Sequence, residues 1–357
     1  MDDSRRPPAA RPLVVRCGAM GDMVMLATLL RVLAARYRTS VDVLSSGAWT
    51  ADVLAACPEL GHLQLLTSRR TPYWLCPSQW RAVRWLRRRG RGPVYLCDSD
   101  SAIRRLLARA GVRAEDTVDA LAGPEPLFHR PGLYPDKWLA MGQLDPPGQS
   151  PAAPLADAAA LRLPRLLVPE AARRALPDWL AARGLAGPLV LFQPGNKRTH
   201  KRGAVATRQH PKHWPPERWA ALAAAVWQRL PAAQVLLCGS PREHGVLEEI
   251  RAASGDRRLH NLARQLPIPR LFALLKRAHS MVSVDTGPAH AAAALGCPLV
   301  VLFGAAPPAQ WRPIGPGPIA VLGGERGADS RVEQIPVDAV VAAWQALPAR
   351  GSGSATG

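Results

Sequence analysis

Lysine is scarce in this chain. Of 46 cationic side chains only Lys137, Lys197, Lys201, Lys212 and Lys276 are lysines; the others are arginines, and 27 acidic residues leave a formal charge of +19. Alanine, proline and glycine are abundant, so much of the arginine excess reads as compositional bias. What bias does not explain leaves an anionic partner open: nucleic acid, a phosphorylated glycolipid or the anionic surface of a membrane. Cysteine is sparse as well. Cys17, Cys57, Cys76, Cys97, Cys238 and Cys297 are too dispersed for paired zinc-ligand spacing and too few for a disulfide scaffold in 357 residues. They read as reduced core residues. Also missing is an uninterrupted apolar run of the roughly 20 residues that a membrane span needs. The longest apolar stretch, from Met281 to Ala306, is broken by Asp285, His290 and several Gly and Pro residues. The opening MDDSRRPPAARP, followed by Arg16 and Asp22, leaves no signal-peptide core. Neither a collagen-like glycine period nor the low apolar content of a disordered chain is present, since 48% of residues are hydrophobic. The expectation is a folded cytoplasmic protein of two domains, soluble or peripheral to a membrane.

What is present alternates. Pro12 to Val15 is strand-like, and from Met23 to Tyr37 the residues Leu26, Leu29, Leu30, Leu33 and Tyr37 fall at helical spacing. A strand at 41–44, a helix from Trp49, a short strand near 63–66, a helix at 79–89, a strand at 94–97 and a helix at 101–110 follow. The proline-rich stretch DPPGQSPAAP, 145–154, and the segment up to Gly187 form the expected linker. Alternation then restarts with strands at 189–193, 234–238, 281–284 and 299–303, and helices at 216–230, 242–252, 270–278 and 287–295. Repeated strand–helix units predict parallel sheets covered by helices in two tandem α/β domains, 12–165 and 185–347. Such sheets bind ligands beyond the carboxyl ends of their strands, and the expected active site is a cleft between the domains. The closing RGSGSATG carries no recognisable chemistry.

Asp285-Thr286-Gly287-Pro288-Ala289-His290 follows the apolar strand MVSV and opens an alanine-rich helix. Pro288 suits the first helical turn, Gly287 lets a ligand approach the backbone, and the free N–H groups of a helix start attract an anion such as a diphosphate. Thr286 and His290 add side-chain donors. The plain alternative is a helix cap at Asp285 or Thr286 and a packed histidine. Gly18-Ala19-Met20-Gly21-Asp22 lies between the first strand and helix, where two glycines allow a tight turn and Asp22 reaches the carboxyl edge of the sheet. It lacks the spacing of a dinucleotide or Walker loop, and Asp22 as an N-terminal cap is the competing reading.

The polar loop 194–214 carries Lys197, Arg198, Lys201, Arg202, Arg208 and Lys212. Lys212, just ahead of Trp214-Pro215, is the cation placed to neutralise a phosphate, and the others read as a solvated loop. Glu243 in Gly239-Ser240-Pro241-Arg242-Glu243 is either an acceptor for ribose hydroxyls or an ordinary first-turn acid. Asp98-Ser99-Asp100 has the form of an Asp-x-Asp metal motif but reads as the acidic start of the basic helix IRRLLARAG. Trp80 and Trp85 among Arg81, Arg84, Arg87, Arg88 and Arg89 suggest a nucleic-acid surface, though an amphipathic helix with a basic outer face accounts for them more simply.

Taken in order, VVRCGAMGD, KHWPPERW and VSVDTGPAHAAAALGCPLVVLFG resemble glycosyltransferase family 9, the ADP-heptose:lipopolysaccharide heptosyltransferases, across roughly residues 12 to 345. The resemblance implies a GT-B fold of two Rossmann-like domains facing a cleft, the first binding the acceptor and the second the nucleotide sugar. It also implies inverting transfer of heptose from ADP-heptose to the lipid A–core region, without a bound metal or other cofactor, on the cytoplasmic face of the inner membrane. By motif, Asp22 matches the catalytic base, with Gly18 and Gly21 as the turn supporting it. Lys212 matches the diphosphate contact, and Asp285, Thr286, Gly287 and His290 the donor block, with Thr207 and Glu243 as looser matches. The loop GNKRTHKRGAVATRQHP is longer than the family pattern, and Cys17, Ala19 and Met23 depart from it around the Gly-Asp turn. Other readings carried alongside are a different nucleotide sugar, a catalytically silent GT-B scaffold, and a basic nucleic-acid-binding protein.

Overall fold

The computed structural model of the protein describes residues 11–196 and 208–348. The chain divides into two compact units, 1–164 and 165–357.

In the first unit, strands β1 (Leu13–Val15), β2 (Val41–Ser46), β3 (Leu60–Leu66), β4 (Val94–Leu96) and β5 (Thr117–Asp119) make one parallel sheet in the order β3-β2-β1-β4-β5. Helices α1 (Met20–Tyr37), α2 (Trp49–Leu54), α3 (Pro77–Arg88), α4 (Ser101–Ala110) and α5 (Tyr134–Met141) accompany it. The central β1 is apolar throughout and has no exposed surface, as a parallel strand covered on both faces requires. Each of its side chains contributes roughly 1.5–3 kcal/mol by burial.

The second unit begins with α6 (Glu170–Ala181), which lies ahead of the expected start at 185 and packs against α9 (Ile268–Arg277). Its sheet contains β6 (Leu189–Gln193), β7 (Gln234–Leu237), β8 (Leu259–Asn261), β9 (Ser280–Val284), β10 (Leu299–Phe303) and β11 (Ile319–Gly323), all parallel, in the order β11-β10-β9-β6-β7-β8. The remaining helices are α7 (Pro216–Arg229), α8 (His244–Ser254), α10 (Gly287–Ala294), α11 (Pro308–Trp311) and α12 (Val337–Gln345). Both sheets are doubly wound: the chain moves outward from a central strand, returns to its other side and winds the opposite way. The strand order therefore reverses between β1 and β4 in one unit and between β6 and β9 in the other, the position where such sheets accept ligands.

The stretch 145–154, expected as linker, is held within the first unit. Arg36 of α1 is buried and its guanidinium donates to both Asp145 carboxylate oxygens, at 3.0 and 2.8 Å, and to the carbonyls of Gly142, Leu144, Ala152 and Ala153. One arginine thus ties down a proline-rich segment that makes little regular structure of its own.

Candidate functional site

The carboxyl end of β1 delivers Arg16, Cys17 and Gly18 to the start of α1. The helix begins at Met20, three residues earlier than expected, with Ala19 as its extended N-cap residue. Asp22 is consequently not the cap but the third helical residue, folding back so that Oδ2 accepts the Ala19 N–H at 2.6 Å. Oδ1 accepts from Arg16 Nη2 at 2.9 Å. Gly21 lies inside the first turn of α1, not in the turn that precedes it, which corrects the expectation of two turn glycines. Gly18 is required for another reason than left-handed backbone: a Cβ there would run into the Asp22 side chain, 2.6 Å from Oδ2. The absent side chain is what lets the carboxylate lie over the strand end.

Arg16 is the residue that sequence reasoning missed. Its Nη1 donates to the Cys97 carbonyl at 2.6 Å, and its guanidinium carbon stands 5.4 and 5.8 Å from the ring centres of Phe128 and Trp138. Burial works against its charge, but the neighbouring Asp22 carboxylate more than offsets this and holds the arginine pKa above its ordinary value. Arg16 thereby fixes the place of Asp22. Each Asp22 oxygen makes one of these bonds and keeps a further lone pair for a proton or a hydroxyl. The signal was a cation at a strand end six residues before the acid, which carries no meaning until the strand end and first helical turn are superposed in space.

Beside this turn, Asp98 Oδ2 accepts the Cys17 N–H at 2.7 Å, closing β1 to β4 where the strand order reverses. Asp98 Oδ1 accepts the Asp100 N–H, and Asp100 Oδ1 caps α4 by accepting from Ala102. The Asp98-Ser99-Asp100 pair is thus engaged in loop and cap bonds. Among the described residues no three His, Cys, Asp or Glu side chains gather as a ligand set for a metal ion. Burial pushes the Cys17 thiol up to about 12, so it stays protonated at neutral pH.

In the second unit, the predicted residues fall at the carboxyl ends of the three adjacent strands β9, β6 and β7. After β9, Asp285 is buried and Thr286 is the extended N-cap of α10, with Gly287 and Pro288 as its first residues. The Thr286 hydroxyl lies 3.3 Å from that of Ser283 and caps nothing, and the Gly287 N–H has no acceptor within the helix. His290 is buried one turn on. Lys212 reaches Asp285 directly, its Nζ donating to Oδ2 at 2.6 Å and to the main-chain carbonyl at 2.7 Å. The lysine's own segment is anchored. The Pro211 carbonyl accepts from Val332 N at 2.8 Å, Lys212 N donates to His210 Nδ1, and Trp214 is buried with Nε1 bonded to the Ile335 carbonyl. An ammonium has three N–H donors. Two hold Asp285, which leaves the third for an anion at the start of α10.

Glu243 closes a short 3-10 turn, Pro241–Glu243, after β7, where its Oε2 accepts the Ser240 N–H at 2.6 Å. Its other oxygen lies so close to Gly195, which follows β6, that a Cβ on that glycine would overlap it. Glu243 therefore spans the ends of β6 and β7 while also serving as the first-turn acid of the plain reading. Arg208 pairs with Glu249 at 3.1 Å. Thr207 lies outside the described residues.

Residues 180–339 match the model of glycosyltransferase family 9 (heptosyltransferase). Over 320 residues, 83% of each chain, the protein is 27% identical to lipopolysaccharide heptosyltransferase 2 of Salmonella typhimurium. It is 32% identical over 136 residues to lipopolysaccharide heptosyltransferase 3 of Escherichia coli K12, covering 38% of this chain and 36% of that one. Among solved structures, E. coli ADP-heptose LPS heptosyltransferase II superposes with a TM-score of 0.70 at 22% identity, covering 94% of this chain and 98% of the other. A family 9 glycosyltransferase from Veillonella parvula gives 0.72 at 15% identity, with 96% and 98% covered. At these identities the superpositions establish the fold, two Rossmann-like units of the GT-B type.

Proposed function

We propose that the chain is a glycosyltransferase of family 9, whose model matches residues 180–339, and that it moves heptose from ADP-heptose to the lipid A–core region of lipopolysaccharide by a single inverting displacement. The observation that carries the reading is the second unit's arrangement: one cation, Lys212, fixed against Asp285 beside a helix start whose Gly287 N–H is unspent.

The chemistry follows from charge. Breaking the bond between the anomeric carbon and ADP develops negative charge on the diphosphate, and donors fixed in advance stabilise that charge without reorganising. Lys212 and the start of α10 are such donors, and Thr286 and His290 add hydrogen bonds to the same group. Glu243, spanning the ends of β6 and β7, takes the ribose hydroxyls. The diphosphate's charge is met by protein groups alone, so the proposed reaction proceeds without a bound metal. The acceptor hydroxyl becomes more acidic as it attacks, and Asp22, held by Arg16 and the Ala19 N–H, takes its proton late in the step. One displacement with no covalent sugar–enzyme intermediate inverts the anomeric centre.

A donor panel tests this. ADP-heptose with lipopolysaccharide precursors is expected to give a heptosylated product, with UDP- and GDP-sugars turning over far more slowly. Efficient transfer from another nucleotide sugar, with none from ADP-heptose, would replace the donor assignment. ADP binding without transfer from any donor would leave a silent scaffold.

A further inference from the structure

Five large hydrophobic side chains are exposed among the described residues, and three of them, Trp74, Leu75 and Trp80, fall within seven residues of each other at 69%, 55% and 45% exposure. They belong to the loop between β3 and α3 and to the first turn of α3. The charge around them has one sign: no Asp or Glu occurs between Glu59 and Asp98, while Arg69, Arg70, Arg81, Arg84, Arg87, Arg88, Arg89 and Arg91 lie in that interval. Arg70, Arg81 and Arg84 are exposed and form no salt bridge within the described residues.

The loop is built rather than loose. Tyr73–Leu75 form a 3-10 turn behind Pro72, with Leu75 N bonded to the Pro72 carbonyl and Cys76 N to that of Tyr73. Trp80 Nε1 donates to the Tyr73 carbonyl at 2.6 Å, and Gln79 Nε2 donates to the carbonyls of Ser68 and Thr71. Arg109 stacks on the Tyr73 ring at 4.5 Å. The turn is held from behind, so Trp74 and Leu75 are held out.

We propose that Trp74, Leu75 and Trp80, collared by Arg70, Arg81 and Arg84, dock the first unit onto an anionic lipid surface. Tryptophan and leucine at a turn tip enter the headgroup boundary while arginines around them meet lipid phosphates, and the two contributions add. The position serves the reaction. The loop follows β3 at the carboxyl edge of the same sheet that presents Asp22, and its Arg69 crosses to Asp100 at 2.9 Å and Asp98 at 4.0 Å, the latter bonded to Cys17 beside the Asp22 turn. A bilayer meeting this loop therefore lies along the edge that receives the acceptor. The inference rests on the proposed lipid-anchored acceptor for its purpose, whereas the patch stands on exposure and charge.

The test is sedimentation of the full chain with phosphatidylcholine vesicles with and without phosphatidylglycerol. The chain is expected to bind the anionic vesicles. A Trp74→Ser/Leu75→Ser double variant should lose at least about tenfold in partitioning, including the part that survives high salt. Arg81→Gln/Arg84→Gln should lose the salt-sensitive part. Unaltered calorimetric ADP binding in both variants shows that the second unit is intact; ADP failing to bind the parent chain counts against the proposed reaction and leaves the vesicle result decisive for the patch. The proposal is overturned if the Ser/Ser variant partitions like the parent, or if vesicles without phosphatidylglycerol bind equally. It is equally overturned if that variant turns a dimer into a monomer, which would make a second copy the occupant.

Discussion

In the proposed reaction Lys212 and Gly287 act on the same anion by different means, one as a charge and the other as an approachable backbone N–H, so their substitutions separate the two contributions. Lys212→Ala removes the cation and leaves Asp285 buried beside the anion site without its partner; ADP affinity is expected to fall by tenfold or more. Gly287→Val puts a branched side chain where the phosphate approaches and should weaken ADP to a similar extent. Calorimetry reads both, and parental affinity in both would remove the diphosphate site from this place. These residues were legible in the sequence because an apolar strand, a Gly-Pro helix start and a cation before Trp-Pro are local patterns. Arg16 was not. Its role depends on Phe128, Trp138 and the Cys97 carbonyl, more than 80 residues away, and no local pattern encodes such a meeting.

At the scale of elements, the buried strands and the edge strand β3 were readable, and the other edges were not. β6 and β10 are apolar runs bounded by Pro and Gly, and they occur with the expected limits of 189–193 and 299–303. The edge strands β5 and β8, Thr-Val-Asp and Leu-His-Asn, are too short and polar to stand out, and pairing with a formed neighbour is what makes them strands. Helix α5 carries Pro135 as its second residue, which breaks its apolar pattern although proline is well placed in a first turn. The units divide after 164, within the expected linker region, but its first part, 145–154, is tied to the first unit for a reason of charge: Arg36 satisfies the carbonyls of a segment that its composition marks as free. Arg36→Leu takes the cation from Asp145, which keeps the Ala152 N–H at Oδ1, and a donor from the four carbonyls, of which Leu144 keeps the Tyr95 hydroxyl; a loss of about 3 kcal/mol in unfolding free energy is expected by denaturant titration. A loss below about 1 kcal/mol would show that 145–154 does not depend on this arginine.

Elements of the second unit also set an acid limit. Burial lowers the pKa of His213, His260 and His279, with Arg229 adding to the effect at His279. Their folded pKa values lie below the unfolded value of about 6.5. The unfolded chain therefore binds more protons between the two, and stability is full above pH ~6.5 and declines as pH falls from there toward the folded values. The melting temperature should drop between pH 7.5 and 5.5, and less so in His260→Gln, which retains a polar partner for Gln234. An unchanged drop in that variant would assign the sensitivity elsewhere.

Across the whole molecule, repetition is the organising fact: the same doubly wound order appears twice, and each copy places its predicted chemistry where the order reverses. Alternation of strands and helices foretold the two sheets, and the three ordered motifs pointed to the family whose model matches residues 180–339. The net charge of +19 did not resolve into a function, because arginines such as Arg16 and Arg36 serve internal bonds while Arg81 and Arg84 face outward. Three-dimensional placement separates those uses, and composition cannot.

The central claim, that Asp22 is the base of a single displacement, is tested most directly by turnover of Asp22→Asn with a donor and acceptor already productive for the parent chain. Asparagine can still accept the Ala19 N–H through its amide oxygen but withdraws the charge that offsets the burial of Arg16, so some loss of thermal stability is expected, while ADP affinity, proposed to reside in the second unit, should stay near the parental value. Because it takes no proton at neutral pH, turnover is predicted to fall by about 10²-fold or more. Near-parental turnover in a folded, ADP-binding Asp22→Asn protein would contradict the account and move the base to another carboxylate.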